Sequence, residues 1–201
     1  MNTGTSKRLS IFVLLAALGL VIFLAITHPY TIDVSYEATS SPDIKNGKYM
    51  FAAAGCANCH EAEDGSGALS GGHGLKSPFG TFYAPNIANV GAEWSEADFI
   101  VALKSGVSPD GKHYFPAFPY TTYRHMKEQD IIDMLGFMQS LLESDAENKP
   151  HDVPFPFNIR RTLGGWKTMF LGKGDYDFAK LSDDPQIQRG AYLVNAVAHC
   201  G

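Results

Sequence analysis

The most specific chemistry in this sequence lies in five consecutive residues, Cys56-Ala57-Asn58-Cys59-His60. Two cysteines separated by two residues and followed at once by histidine form the attachment motif of a c-type haem. The thiols can add to the two vinyl groups on one edge of a porphyrin, and the imidazole can then bind the iron. A zinc site would need a second pair of ligands about 15–20 residues away, and no second cysteine pair occurs there. We therefore predict one covalent haem c held by Cys56 and Cys59, with His60 as proximal ligand.

Composition limits the kind of protein that the chain can form. The sequence has 201 residues, 45% of them hydrophobic and 12% aromatic, enough for a small packed domain, a membrane anchor and some further chain. Its formal net charge of −5 argues against nucleic acid as a partner, because nucleic acids bind basic surfaces. There are three cysteines, so the predicted haem leaves Cys200 without an assigned role.

An apolar segment near the N-terminus predicts a membrane anchor. Residues 1–8 are polar and end in Lys7 and Arg8, whereas residues 9–28 carry no acidic or basic charge apart from a terminal histidine. At 1.5 Å per residue this helix would nearly span a bilayer core, with residues 1–8 in the cytoplasm and the rest of the chain exported. A cleaved signal peptide is the alternative, but Ala25-Ile26-Thr27 makes a poor cleavage site. We expect a retained single-pass anchor and a haem domain in the periplasm or another extracytoplasmic space.

Helix signals place the haem motif in an all-α domain over residues 42–143, behind a polar spacer at 29–41. Ser41-Pro42-Asp43 has the features of a helix start, and this helix should reach about Ala54. Gly47 would let another helix cross it closely. Residues 61–94 are rich in glycine and predict a loop around the haem.

Two further helices are expected after that loop. Ser95 and Asp98 indicate the N-terminus of the first, and Gly106 its end. The last helix should begin near Lys127 and bury a stripe of residues at helical spacing: Ile131, Met134, Leu135, Met138 and Leu142.

A short helix that leads into Cys-x-x-Cys-His resembles a class I cytochrome c, and a second segment adds to that resemblance. Ala84-Pro85-Asn86-Ile87 is similar to the Gly-Pro-Asn-Leu segment of those proteins. The resemblance implies that the carbonyl oxygen of Pro85 accepts a hydrogen bond from Nδ1–H of His60. Such a bond would fix the ring and make the imidazole more basic. An ordinary proline turn is the alternative interpretation.

The sequence offers several candidates for the distal iron ligand. Residues 112–126 combine two prolines with five aromatic residues and predict a rigid apolar wall over the distal face. Met126 closes this wall, and the resemblance favours thioether ligation. His113 and His125 are the nitrogen alternatives, and an open iron position is a third possibility.

The chain beyond residue 143 contains a linker and then a partial repeat. Residues 144–185 are polar and proline-rich at first and then suggest a short helix near Arg160 to Phe170. Ile187-Gln-Arg-Gly-Ala-Tyr192 then repeats the spacing of Ile44-Lys-Asn-Gly-Lys-Tyr49, and Cys200 follows one residue later than Cys56 does in the first copy. We expect residues 186–201 to be the truncated start of a second cytochrome c domain, which would bind a second haem in the full-length protein.

Three stretches together resemble one family in particular, the membrane-anchored di-haem or multihaem cytochromes c that serve periplasmic dehydrogenases, or related di-haem carriers: Pro78–Ile87, Tyr114–Tyr120 and Arg189–Asn195. Many relatives have methionine where this chain has Phe118. That candidate ligand is absent here, so the resemblance favours Met126 as the distal ligand. The resemblance implies a non-enzymatic, single-electron carrier of a respiratory chain. Its partners would be a dehydrogenase subunit, soluble cytochrome, oxidase or quinol-linked complex. The alternative function is a haem enzyme or gas sensor with an open distal position.

Overall fold

The computed structural model describes residues 3–29, 41–62, 67–171 and 176–200. Helix α1 (Thr3–Ile26) stands apart from the packed domain along its apolar length, and its stretch Ser6–Ile26 is long and apolar enough to cross a membrane. Most of the expected spacer, residues 30–40, lies outside the described residues. Length and composition are the grounds for considering α1 a membrane span.

Two crossed helices form the centre of the domain. Helix α2 (Ile44–Ala53) packs across α7 (Glu128–Met138), and a Cβ atom on Gly47 would collide with the backbone carbonyl of Asp133. The close crossing predicted at Gly47 is therefore confirmed. The helix start differs by two residues from the expected one, because Asp43 rather than Ser41 accepts hydrogen bonds from the first free backbone N–H groups.

The middle of the domain contains short helices around α5 (Glu96–Ser105). Its predicted start is confirmed, since Ser95 and Asp98 form a reciprocal capping box, and Gly106 ends it in the left-handed conformation with φ 62°. The other short helices are α3 (Cys56–His60), α4 (Val90–Glu93) and α6 (Tyr120–Tyr123).

The glycine-rich stretch was expected to be loop throughout, and that expectation is corrected, because residues 74–83 form a β-hairpin. Strands β1 (Gly74–Ser77) and β2 (Gly80–Tyr83) pair antiparallel, with Gly74 opposite Tyr83 and Ser77 opposite Gly80. Each strand has only four residues, and the fold remains mostly helical. The hairpin lies directly before Ala84 and Pro85 and fixes the direction in which this segment leaves the sheet.

One apolar core joins α2, α5 and α7. Met126, Met134 and Met138 all belong to it, and each is at most 3% exposed. Leu142 was expected on the buried stripe of the last helix, but it lies beyond Met138, where α7 ends, and is 85% exposed. The predicted stripe is therefore buried only as far as α7 extends.

The chain expected to be a linker returns along the domain. The side-chain amide of Asn86 donates to the carbonyl oxygens of Ser144 and Ala146, and Asp152 pairs with Thr81 beside the hairpin. Val153 is buried in a second, smaller core together with Phe82 and Phe115. The start of this segment is thus packed against the domain rather than extended away from it.

The short helix predicted near residues 160–170 is confirmed as α8 (Thr162–Phe170), and it contacts the end of α1. Gly164 lies so close to Thr27 that a Cβ atom there would be 2.7 Å from the Thr27 backbone. Arg161 donates to the Thr27 hydroxyl at 3.1 Å and to the Leu24 carbonyl at 3.0 Å. These bonds satisfy part of the open C-terminal end of α1.

The C-terminal segment packs on the same core. It consists of a 3-10 turn (Phe178–Leu181), helix α9 (Pro185–Tyr192) and a π-helical turn (Leu193–Val197). The side chains of Tyr192, Ala196 and Val197 are at most 3% exposed. A π turn takes up one extra residue in a helix, which agrees with the second copy of the repeat being one residue longer than the first.

Candidate functional site

Helix α3 presents the three residues of the predicted haem motif together. Residues at positions i, i+3 and i+4 share one face of a helix, and these positions are Cys56, Cys59 and His60. Gly55 starts the helix in the left-handed conformation, with φ 69°, so that the chain turns sharply out of α2. All three side chains are partly buried, and Cys56 packs against the main core.

The orientation of the His60 ring is set by a hydrogen bond. His60 Nδ1 lies 2.8 Å from the carbonyl oxygen of Pro85, so the bond that the resemblance implied is present. Because a carbonyl oxygen can only accept, Nδ1 must carry the hydrogen. Nε2 is then the free ring nitrogen and the potential ligand atom.

The Pro85 carbonyl is itself held in place from two sides. On one side, Gly71 donates its N–H to the His60 carbonyl at 2.7 Å, and a Cβ atom on Gly71 would lie 2.5 Å from the Pro85 carbonyl carbon. On the other side, Asn86 accepts a bond from Ala88 N–H and donates to residues 144–146. The site therefore depends on a glycine with φ 78°, which few other residues adopt without strain.

A buried tyrosine ties the distal segment to the haem motif. The hydroxyl of Tyr123, in α6, donates to the carbonyl oxygen of Ala54 at 3.0 Å, two residues before Cys56. Its ring contacts Phe118 and also His199, with a ring-centroid separation of 5.8 Å for each pair. Aromatic side chains therefore lie beside the motif, and the wall over the distal face stays a prediction.

The three candidates for the distal ligand lie in different surroundings. Met126 lies three residues after the end of α6, is 2% exposed and belongs to the core against which Cys56 packs. His113 Nε2 lies 3.2 Å from the Thr27 carbonyl, at the end of α1. His125 Nδ1 accepts a bond from the Tyr176 backbone N–H at 3.2 Å. Both histidines therefore have other backbone partners.

Burial controls the protonation of the haem-motif residues. Burial lowers the pKa of His60, and the hydrogen bond to Pro85 acts in the opposite direction. The imidazole is thus biased towards the neutral form that can bind iron. Burial also raises the pKa of the Cys56 thiol to about 12. Among the described residues, no group of three or more His, Cys, Asp and Glu side chains lies together to form another metal site.

Sequence reasoning missed Gly71, Asn86 and Tyr123 as parts of the site. Each acts through the backbone of a distant segment: Gly71 by leaving space, Asn86 and Tyr123 by hydrogen bonds. The pair Gly71-Gly72 was the available signal, since adjacent glycines often mark a close backbone approach.

Comparison with known proteins decides the family. The family model for cytochrome c matches residues 44–142, which contain the haem motif and the Pro85 segment. A di-haem c-type cytochrome of Cereibacter sphaeroides is 41% identical, in an alignment that covers all of this chain and 69% of the relative. The chain belongs to the cytochrome c family. The predicted covalent haem c is therefore confirmed as its cofactor.

This cytochrome c is also similar to electron-transfer subunits of dehydrogenases. The cytochrome c subunit of a quinone-dependent alcohol dehydrogenase from Gluconobacter oxydans is 35% identical over 84% of the chain, and the fructose dehydrogenase cytochrome subunit of Gluconobacter japonicus is 34% identical over 80%. The chain spans 37% and 34% of the length of these two relatives. The resemblance to cytochrome subunits of periplasmic dehydrogenases is thus confirmed.

Proposed function

We propose that this cytochrome c carries single electrons between an exported dehydrogenase or quinol-linked complex and a respiratory acceptor. The observation that carries the proposal is the His60–Pro85 hydrogen bond of 2.8 Å, which orients an imidazole beside two cysteines on one helical turn. The relatives that are cytochrome subunits of dehydrogenases support a dehydrogenase as one partner. A soluble cytochrome or an oxidase would accept the electrons.

Each residue of the site has a separate role in this proposal. Cys56 and Cys59 hold the haem, which supplies an iron that alternates between two oxidation states when it is bound. His60 binds the iron through Nε2, and Pro85 keeps the ring in place. Met126 is the distal ligand, supported by its burial beside the core that Cys56 contacts and by the backbone partners of the two histidines.

The test of Met126 is spectroscopic. We expect the native protein to be low-spin and six-coordinate, with a weak thioether-to-iron absorption band, and Met126→Ala to lose that band. Met134→Ala is the matched control, because Met134 is equally buried (1% exposed) but lies on the core face of α7. An unchanged band in Met126→Ala would refute the assignment. Rapid carbon monoxide binding to the reduced native protein would favour a haem enzyme or sensor, for which the comparisons give no support.

The proposed location is the outer face of a membrane. Helix α1 is the anchor, residues 1–8 are cytoplasmic and the haem domain is periplasmic. The apolar stretch Ser6–Ile26, which carries no acidic or basic residue after Arg8, supports the anchor, and Lys7 and Arg8 at its start support the orientation. Addition of protease to intact spheroplasts should remove the haem domain, whereas a cytoplasmic domain would be protected.

We also propose that α9 is the first helix of a second haem-binding unit, in keeping with the di-haem relative. Gly190 occupies the position of Gly47 in the repeat, yet a Cβ atom on it would meet nothing within 4 Å among the described residues. Its helix face is thus open where α7 crosses α2 in the first unit. The haem count and intact mass of the protein from native membranes test this proposal: one haem per chain would contradict it.

A further inference from the structure

We propose that helix α8 is a second membrane contact, lying in the lipid headgroup region beside the point where α1 leaves the bilayer. This inference rests on the proposed role of α1 as an anchor. It concerns a surface that does not hold the haem. A second contact would fix the orientation of the domain relative to the membrane.

Helix α8 has two opposite faces. Lys167 and the following Leu171 lie on the buried face of α8 and are 1% and 8% exposed. Gly164 lies on the same face and is buried against Thr27, at the end of α1. Lys167 donates to the carbonyl oxygens of Ser105 and Gly106 at 2.7 and 2.6 Å, which locks the helix to the domain. The rotation of α8 about its axis is therefore fixed.

The opposite face of α8 is apolar and open. Trp166, Met169 and Phe170 occupy positions i, i+3 and i+4 and so share this face. Met169 is 71% and Phe170 65% exposed, and the Trp166 and Phe170 rings are in contact at 5.8 Å. Trp166 is half-buried, so Met169 and Phe170 form the exposed part of this face. Exposed apolar side chains continue along the segment that precedes α8: Phe155, Phe157 and Ile159.

The level of α8 matches the edge of the bilayer. The stretch from Leu9 to Ile26 is about 27 Å long as a helix, close to the hydrocarbon thickness of about 30 Å. If Arg8 lies at the inner headgroups, Thr27 lies at the outer boundary, and Thr27 is the residue that Gly164 contacts. Side chains of α8 therefore reach the interface at the level where tryptophan and other aromatic residues are enriched in membrane proteins.

A lipid surface fits this face better than a protein does because α1 and α8 are joined by direct contacts. Arg161 bonds to Leu24 and Thr27, so the N-terminal end of α8 is held against the last turn of α1, and α8 stays at the level where α1 ends. A protein partner at this place would have to displace lipid beside the anchor. Interfacial helices with aromatic and apolar side chains on one face bind membranes through that face.

Photo-crosslinking in the full-length holoprotein tests the inference. Phe170→p-benzoylphenylalanine is compared with the same replacement at Phe12, inside α1, and at Leu142, which is 85% exposed on the domain. Each variant is placed in vesicles of phosphatidylethanolamine and phosphatidylglycerol, its haem absorbance confirms folding, and adducts are identified by mass spectrometry. We expect lipid adducts from positions 12 and 170 and none from position 142.

The other outcomes each contradict a different statement. Lipid adducts at position 12 but not at position 170 would overturn the membrane contact and leave the anchor in place. A protein adduct at position 170 would make this face an interface between protein chains. Lipid adducts at position 142 in the same yield as at position 170 would mean that the domain has no fixed orientation relative to the membrane. Absence of lipid adducts at position 12 would overturn the proposed anchor itself.

Discussion

At the scale of single residues, the carbonyl group of Pro85 is the feature on which the His60 ring depends. A carbonyl cannot be removed by substitution, but it can be displaced by a residue packed against it. Gly71 is that residue, with its α-carbon facing the Ala84–Pro85 peptide. Gly72 has a similar left-handed backbone, with φ 93°, and open space around it. Comparing alanine substitutions at the two positions therefore separates the effect of displacing the Pro85 carbonyl from the effect of backbone strain.

We predict that Gly71→Ala raises the midpoint reduction potential and lowers stability, whereas Gly72→Ala changes stability alone. Displacing the Pro85 carbonyl weakens its bond to Nδ1–H, makes the imidazole a poorer donor and so disfavours oxidised iron. Both substitutions carry a strain of about 1 kcal/mol, and Gly71→Ala adds the steric cost. Spectroelectrochemical titration and thermal denaturation measure the two effects. Equal potentials in the two variants would contradict this account.

A second residue-scale feature is the buried Lys167. The residue is 1% exposed, and its ammonium group donates to two backbone carbonyls and lies 4.5 Å from the centre of the Tyr120 ring. Burial nevertheless lowers the pKa of Lys167 to about 8. The buried His113 is close enough to interact with the charges of Lys167 and Arg161, and both lower the pKa of His113.

The expected consequence is a rise in stability with pH relative to Lys167→Met. The unfolded chain holds this proton up to about pH 10.5 and the folded chain only to about pH 8, so the folded state gains as pH rises between these values. The gain is at most about 3 kcal/mol. Thermal denaturation of both proteins from pH 7 to 10.5 checks it. A difference between them that stays constant over this range would show that Lys167 remains charged in the folded protein.

At the scale of helices and strands, local signals predicted some elements and missed others. The capping box at Ser95 and the stop at Gly106 involve neighbours in sequence, so they could be read directly. The β1–β2 hairpin was missed because its four-residue strands lie between glycines and show no clear alternation of polar and apolar residues. The packing of residues 144–153 was missed because it depends on the amide of Asn86, whose carbonyl partners are 58 and 60 residues away.

The same contrast holds for the site. The haem motif is contiguous, so sequence alone predicted Cys56, Cys59 and His60 as the haem-binding residues. Pro85 was proposed only through a family resemblance, since a backbone carbonyl leaves no trace in residue type. The role of Tyr123 could not have been foreseen, because its partner is the carbonyl of Ala54, 69 residues away.

The repeated helices give a prediction with an internal control. Gly47→Ala should destabilise the protein by several kcal/mol, because the alanine methyl group would collide with the backbone carbonyl of Asp133, which cannot move aside as a flexible side chain could. Gly190→Ala should be neutral or stabilise the 201-residue chain by up to about 1 kcal/mol, through better helix propensity in open space. Chemical denaturation measures both.

The second variant also bears on the proposed second unit. In a longer protein with a helix crossing at Gly190, Gly190→Ala would destabilise as Gly47→Ala does. Similar losses in both variants of the 201-residue chain would contradict the open position that the structure shows.

At the scale of the whole molecule, a buried polar cluster joins the C-terminal segment to the haem domain. The Tyr192 hydroxyl donates to Asp130 Oδ2 at 2.5 Å and accepts from the Lys127 backbone N–H at 3.1 Å. Asn46 of α2 donates to the other oxygen of Asp130 at 2.8 Å. Three separate parts of the chain therefore meet at one carboxylate.

We predict that Tyr192→Phe loosens the C-terminal segment without altering the haem spectrum. The change leaves a buried carboxylate oxygen and the Lys127 N–H without this partner, at a cost of about 2–3 kcal/mol. Hydrogen exchange of residues 185–197 should become faster. Tyr49→Phe, at the matching position of the first repeat where the side chain is 51% exposed, is the control and should leave exchange unchanged. Equal exchange in Tyr192→Phe and the native protein would show that apolar packing alone holds the segment.

The contacts between α8 and the last turn of α1 also affect how redox partners would encounter this cytochrome. A domain on a slack tether tumbles, and each encounter must select one orientation out of all those available. With Thr27 held by Gly164 and Arg161, an anchored domain could turn only about the membrane normal. Its search for a partner in the same membrane would then involve lateral diffusion and a single angle, and its meeting rate would follow the number of molecules per unit of membrane area.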